Sequence, residues 1–180
     1  MLQIERNGSG WILRAEQLLP ASPDMVFPFF ADAGNLDRLT PDWLHFRILT
    51  PLPVEMREGA LIDYRLRLRG VPIRWRTEIT CWEPPYEFVD EQIRGPYRKW
   101  IHRHTFQPHE AGTLMTDEVA YDVPGGAWVN RLFVEREISR IFRYRTEVME
   151  SIFRDPAGSR ALASAETGHA GGPPRGRADS

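Results

Sequence analysis

The sequence predicts an α+β domain in which a curved antiparallel sheet of six or seven strands wraps around one long C-terminal helix, with two short helices after the first strand. Three observations carry this. Period-two segments follow one another across short turns, their apolar residues fall on one face, and a single Gly- and Pro-free amphipathic stretch lies near the end.

The first strand candidate is Trp11 to Leu19, preceded by an N-terminal extension of residues 1–10. In Pro20-Ala21-Ser22-Pro23-Asp24, Ser22 suits a helix N-cap and Pro23 the first helical position, which starts a short helix through Phe30. A second helical turn is expected from Asn35, as N-cap, to Leu39, because Pro41 disfavours helix at Thr40. Strands are then expected at Phe46 to Leu49, Leu61 to Leu68, Ile73 to Trp82, Glu87 to Gln92, Lys99 to Gln107 and Thr113 to Val123. Their connections are short, so neighbours run antiparallel.

Alternation separates the faces. Ile62, Tyr64, Leu66 and Leu68 oppose Asp63, Arg65 and Arg67, and Ile73, Trp75, Thr77, Ile79 and Cys81 oppose Arg74, Arg76, Glu78 and Thr80. From Trp128 to Phe153, Val134, Ile138, Ile141, Val148 and Ile152 recur at helical spacing. One apolar sheet face and one apolar helix stripe bury each other. The charges on that helix, Arg136, Arg140, Arg143 and Arg145 with Glu135, Glu137 and Glu147, read as surface pairs.

The 180 residues, 42% hydrophobic and 27% charged, suit a single domain over residues 11–154 that buries roughly 70% of its unfolded surface. Residues 155–180, rich in Gly, Pro, Ala and Ser without an aromatic, are expected to be a disordered tail. A net charge of −2, from 23 basic and 25 acidic residues without a basic block, argues against nucleic acid as a partner. The lone Cys81 excludes an intramolecular disulfide, and Met1 to Trp11 lacks a secretory pattern, so a cytoplasmic location is expected. No stretch reaches the roughly 18 apolar residues of a membrane span, which leaves contact with a membrane surface as the one membrane role open.

The order of elements resembles the START-like superfamily, also called SRPBCC or Bet v 1-like helix-grip proteins, over about Trp11 to Phe153. The segments AEQLLPASPDMVFPFFADAGNLDRLTPDW, CWEPPYEFVDEQIRGPYRKWIHRHTF and GTLMTDEVAYDVP are similar to bacterial members of the polyketide cyclase/dehydrase-like type. The resemblance implies a cavity between sheet and long helix that takes a small hydrophobic molecule, lipid-like, quinone or aromatic/polyketide. It also implies that a minority of relatives are enzymes.

The polar residues on the inner face are the candidates for the site. Trp100, His102, His104 and Phe106 share one strand parity, and Asp117 and Tyr121 are expected to face inward from the next strand, whose register the sequence leaves open. Tyr64, Trp75 and Phe88 are expected to line the same cavity, and Trp43 to sit at its mouth. Three readings of the polar cluster stand: a structural hydrogen-bond network, a set of contacts that orients an apolar ligand, or a site of catalysis or metal binding.

No third histidine or cysteine lies near the His-x-His pair except His109 in the turn, so no metal and no cofactor is expected. The expected function is binding of a small hydrophobic ligand without catalysis. The alternative is a cyclase, dehydratase or aromatase that uses His102 or His104 as general base with Asp117 or Tyr121 as orienting partner. Arg94, Arg98, Lys99 and Arg103 read as a solvated face balanced by Glu87, Asp90 and Glu91.

Overall fold

The computed structural model describes residues 1–154, so the tail expected over 155–180 lies outside the described residues. The elements are β1 (Leu2–Asn7), β2 (Gly10–Leu19), α1 (Pro23–Ala31), α2 (Leu36–Leu39), β3 (Arg47–Ile48), β4 (Leu61–Leu68), β5 (Val71–Glu83), β6 (Glu87–Arg94), β7 (Lys99–His109) and β8 (Gly112–Asp122). They end with α3 (Gly126–Val129), a π-helical turn (Asn130–Val134) and α4 (Glu135–Arg154). The eight strands form one antiparallel sheet in the order β1-β2-β8-β7-β6-β5-β4-β3. The fold is a helix grip: the meander β3 to β8 is extended by β2 and β1, and α4 lies against the inner face.

Two strand assignments differ from the sequence reading. Residues 1–10 are no mere extension, because β1 pairs with β2 through a two-residue turn at Gly8-Ser9, with Gly8 at φ +59°. Its Leu2 and Ile4 pack beneath Trp11 and Leu13. Only two apolar residues mark this edge strand, so its alternation is weak, although Asn-Gly between two extended runs is itself a hairpin signal. On β5, a register shift between Ile79 and Cys81 flips the alternation. Trp82, not Cys81, therefore joins the core, its ring 5.2 Å from that of Phe27.

At the corner after β2, Ser22 and Asn35 stand at helix starts but neither side chain caps; Asn35 Nδ2 donates instead to the Phe29 carbonyl at 3.0 Å. The corner packs onto the β7–β8 turn through Gly112, at φ +134°, where a Cβ would lie 2.1 Å from the Leu19 carbonyl oxygen. Gly112→Ala is therefore expected to destabilise the fold by about 2 kcal/mol, from backbone strain and the forced separation of α1 from the sheet. Urea denaturation measures this, and an unchanged midpoint would show that the corner yields freely.

Regular α-helix begins at Glu135, seven residues later than the sequence reading, since the chain from Gly126 passes through the short α3 and the π turn first. The buried side chains of α4 are Ile138, Phe142, Arg145, Met149 and Phe153, spaced four, three, four and four. That spacing is one helical stripe. Gln17 Nε2 on β2 donates to the Thr146 carbonyl at 3.0 Å, which fixes the helix over the sheet.

The core divides into three groups. One gathers Phe27, Phe30, Phe106, Met149 and Phe153, the second Trp11, Leu13, Val119, Tyr121, Ile138 and Phe142, and the third Leu44, Leu66 and Trp75. Among the described residues, no helix is long and apolar enough to cross a membrane.

Candidate functional site

Strand pairing brings the inner-face residues of β6, β7 and β8 side by side. Trp100 lies opposite Tyr121, His102 opposite Val119, and His104 opposite Asp117, which settles the hairpin register that the sequence left open. Asp90 lies opposite His102 and Phe88 opposite His104 on the other flank. Alternation then turns Trp100, His102, His104, Phe106, Asp117 and Tyr121 inward together, as the sequence reading expects.

The polar members form a network of six side chains. Asp117, 3% exposed, is its hub: Arg145 Nε donates to Oδ2 at 3.0 Å, while His102 Nε2 and His104 Nδ1 lie 3.0 and 2.8 Å from Oδ1. Asp90 faces the opposite edges of the two rings, with Oδ2 3.0 Å from His104 Nε2 and 3.6 Å from His102 Nδ1. Thr77 Oγ1 stands 3.2 Å from Asp90 Oδ1. The rings lie 3.7 Å apart between centroids, and Phe88 stacks on His104 at 4.1 Å.

Electrostatics follows from this geometry. Burial pushes the Asp117 carboxyl up, but the Arg145 charge and the hydrogen bonds from both histidines outweigh it and hold the group well below the ordinary carboxylate range. Burial likewise raises Asp90, and the His104 hydrogen bond and the histidine charges bring it below its ordinary value. Burial, then the His104 charge, lower His102. His104 is raised despite its burial, because both of its ring nitrogens meet carboxylates. With His104 protonated, two carboxylates, one guanidinium and one imidazolium sum to zero, the condition for burying the cluster.

The cluster forms one wall of a cavity of about 190 Å³ between the sheet, α1, α2 and α4. Phe30 and Phe88 from the first core group, Ile138 and Phe142 from the second, and Leu66 and Trp75 from the third all line it. The cavity therefore stands where the three groups would otherwise meet.

Of the expected ligand-lining residues, Tyr64, Trp75, Trp100, His102 and His104 line the cavity, as does Phe88. Phe106, Asp117 and Tyr121 do not. Phe106 is sealed against Phe27 and Phe30, Asp117 sits behind the histidines, and Tyr121 stacks on Trp11 beside Trp100. Trp43 does not line it either: its Nε1 donates to Glu137 Oε1 at 3.3 Å and Arg140 covers its ring, which pins it to the outside of α4.

The sequence reading missed two members of the site. Arg145, read there as a surface charge, is 8% exposed and bonded to Asp117; its place in the stripe Ile138, Phe142, Arg145, Met149 was the available signal. Asp90, read as an outer neutralising charge, shares the parity of inward Phe88 on β6.

No curated protein matches the chain. Among solved structures, protein CV1439 from Chromobacterium violaceum superposes with a TM-score of 0.63 at 15% identity, over 80% of this chain and 98% of that one. Protein Ms6760 from Mycobacterium smegmatis gives 0.59 at 16% identity over 92% and 99%. Ginseng major latex-like protein 151 from Panax ginseng gives 0.61 at 10% identity over 81% and 99%. Identities this low bear on the fold alone. The family model described as "Polyketide cyclase / dehydrase and lipid transport" matches residues 19–143, a span that runs from the last residue of β2 into the first turns of α4 and contains every residue of the cavity wall except Arg145, and the chain belongs to that family.

Proposed function

We propose that this domain binds a small, mainly apolar molecule in the cavity without transforming it, the aromatic wall supplying contact and the polar cluster fixing orientation. The observation that carries the reading is the asymmetry of the lining. Apolar side chains from all three core groups surround the space, while buried Thr77, His102, His104 and Arg145 with Asp90 form one polar group on the sheet and α4 side, apart from Asp32, Asn35 and Thr40 at the helical corner. A cavity of about 150 Å³ accommodates benzene, so the 190 Å³ here fits a single-ring or short branched molecule, or one end of a longer one. The Trp75 indole N–H is buried and has no hydrogen-bond partner among the described residues, so an acceptor on the ligand would relieve a buried orphan donor.

Native mass spectrometry of the protein purified from its own host, compared with the same sample denatured, tests this. The expected result is an adduct that disappears on denaturation, together with quenching of tryptophan fluorescence when small aromatic probes are added, since Trp75 and Trp100 line the cavity. Leu66→Trp is expected to fill the cavity and abolish both signals with little change in stability, because the added volume enters space already present. Binding that survives Leu66→Trp would place the ligand elsewhere.

One observation favours the enzymatic alternative of a cyclase or dehydratase. His102 Nδ1, at 3.6 Å from Asp90, is the one imidazole nitrogen of the pair beyond hydrogen-bond distance of a carboxylate, and His102 lines the cavity in a neutral-favouring environment. That is the condition of a general base. Turnover of a cavity ligand lost in His102→Gln, with binding retained, would establish it.

A further inference from the structure

We propose that Asp90, His102 and His104 form a binding site for a divalent first-row transition cation on the wall of the cavity. The argument rests on which edge of each imidazole is already used. His102 Nε2 and His104 Nδ1 both meet one oxygen, Asp117 Oδ1, at 3.0 and 2.8 Å. A carboxylate that takes the remote N–H of a histidine fixes the tautomer and turns the other nitrogen toward a metal. Here one carboxylate does so for two rings at once, and the two nitrogens left, His102 Nδ1 and His104 Nε2, both face Asp90 Oδ2.

The spacing to Asp90 is that of donors on one metal ion. Ligand bonds of about 2.0–2.2 Å place donor atoms roughly 2.9–3.6 Å apart, for octahedral to tetrahedral angles. Asp90 Oδ2 stands 3.0 Å from His104 Nε2 and 3.6 Å from His102 Nδ1, and the donor atoms of all three residues lie within 4.8 Å of one another. Two imidazoles and a carboxylate on one side of a cation suit iron(II), manganese(II), cobalt(II) or zinc(II), whereas magnesium and calcium call for oxygen ligands.

The surroundings complete the site. Thr77 Oγ1 stands 3.2 Å from the other oxygen of Asp90, and Arg145 pairs with Asp117, so each donor has a partner that holds it in place. Asp90, His102 and His104 all line the cavity, so the remaining coordination positions open toward bound ligand. With neutral imidazoles, Asp90, Asp117 and Arg145 sum to one negative charge. A dication turns this into one positive charge and gives the site a preference for an anionic oxygen, a carboxylate or phenolate. The sequence expectation of no metal arose because no third histidine or cysteine lies near the pair except His109, and the inference does not depend on what else the cavity holds.

Chelator-treated full-length protein, titrated with cobalt(II) under visible spectroscopy and with zinc(II) by calorimetry, tests the site. The expected result is one ion per chain with d–d bands of mixed nitrogen and oxygen coordination. Asp90→Asn should weaken binding by at least about 100-fold and Asp117→Asn by about 10–100-fold, while His109→Ala leaves it unchanged. Should the buried variants fail to fold, ring-nitrogen NMR of the wild type decides, because zinc must shift His102 Nδ1 and His104 Nε2 as directly bound atoms. Absence of stoichiometric binding overturns the proposal, as does binding that survives Asp90→Asn or vanishes in His109→Ala.

Discussion

Arg145→Met is expected to cost about 3–5 kcal/mol, the usual penalty for removing one partner of a buried ion pair. Methionine retains most of the side-chain volume and suits the apolar stripe of α4, so packing contributes little to the loss. What remains is Asp117, 3% exposed, deprived of the guanidinium that meets its two oxygens at 3.0 and 3.3 Å. Arg145→Lys keeps the charge but not the two-pronged geometry, and should fall between. Adding Asp117→Asn to Arg145→Met should recover part of the loss, because the unpaired carboxylate is then gone. Urea denaturation of the wild type, Arg145→Met, Asp117→Asn and the double variant closes this double-mutant cycle. A cost for Arg145→Met below about 1 kcal/mol would mean that the two histidines alone balance Asp117.

The same arginine shows how the sequence was read and misread. Its position was legible: Ile138, Phe142, Arg145, Met149 and Phe153 form one stripe, and the spacing alone turns Arg145 inward. Residue type overrode spacing, because an arginine among alternating charges suggests a solvated face. Asp90 failed in the same way on β6, where Phe88 had fixed the parity. The inward set Trp100, His102, His104, Phe106, Asp117 and Tyr121 was recovered because β7 and β8 pair without a register shift, so period-two alternation runs unbroken along both.

Other features depend on contacts between distant segments, and local pattern does not carry them. The register shift after Ile79 is set by pairing with β6, and it moves Cys81 out and Trp82 in. Membership of the cavity is set by where α1 and α4 come to rest. Phe106 and Trp100 share a strand face, yet the first is sealed by Phe27 and Phe30 and the second borders open space.

In chelator-treated protein, stability is expected to peak near pH 6.5 and to decline on both sides, because the two histidines are displaced in opposite directions. His104 is raised in the folded state, so its contribution is complete below about pH 6.5, the value of the unfolded chain, and is lost as pH rises through its folded value. His102 is lowered, so as pH falls below about 6.5 the unfolded chain gains a proton there that the folded chain resists, and stability declines with acid. Asp90 and Asp117, both held below their ordinary range, extend that decline as pH falls through about 4 and beyond. The urea midpoint followed from pH 3 to 9 measures the curve. Asp117→Asn should flatten the alkaline limb, since His104 loses a partner that raises it, and leave the acid limb near neutrality in place, since burial still lowers His102 and the carboxylate that opposed this is gone. A wild-type midpoint constant from pH 5 to 8 would show imidazoles that titrate as if in water, and the neutral buried cluster would then be the wrong description of this wall.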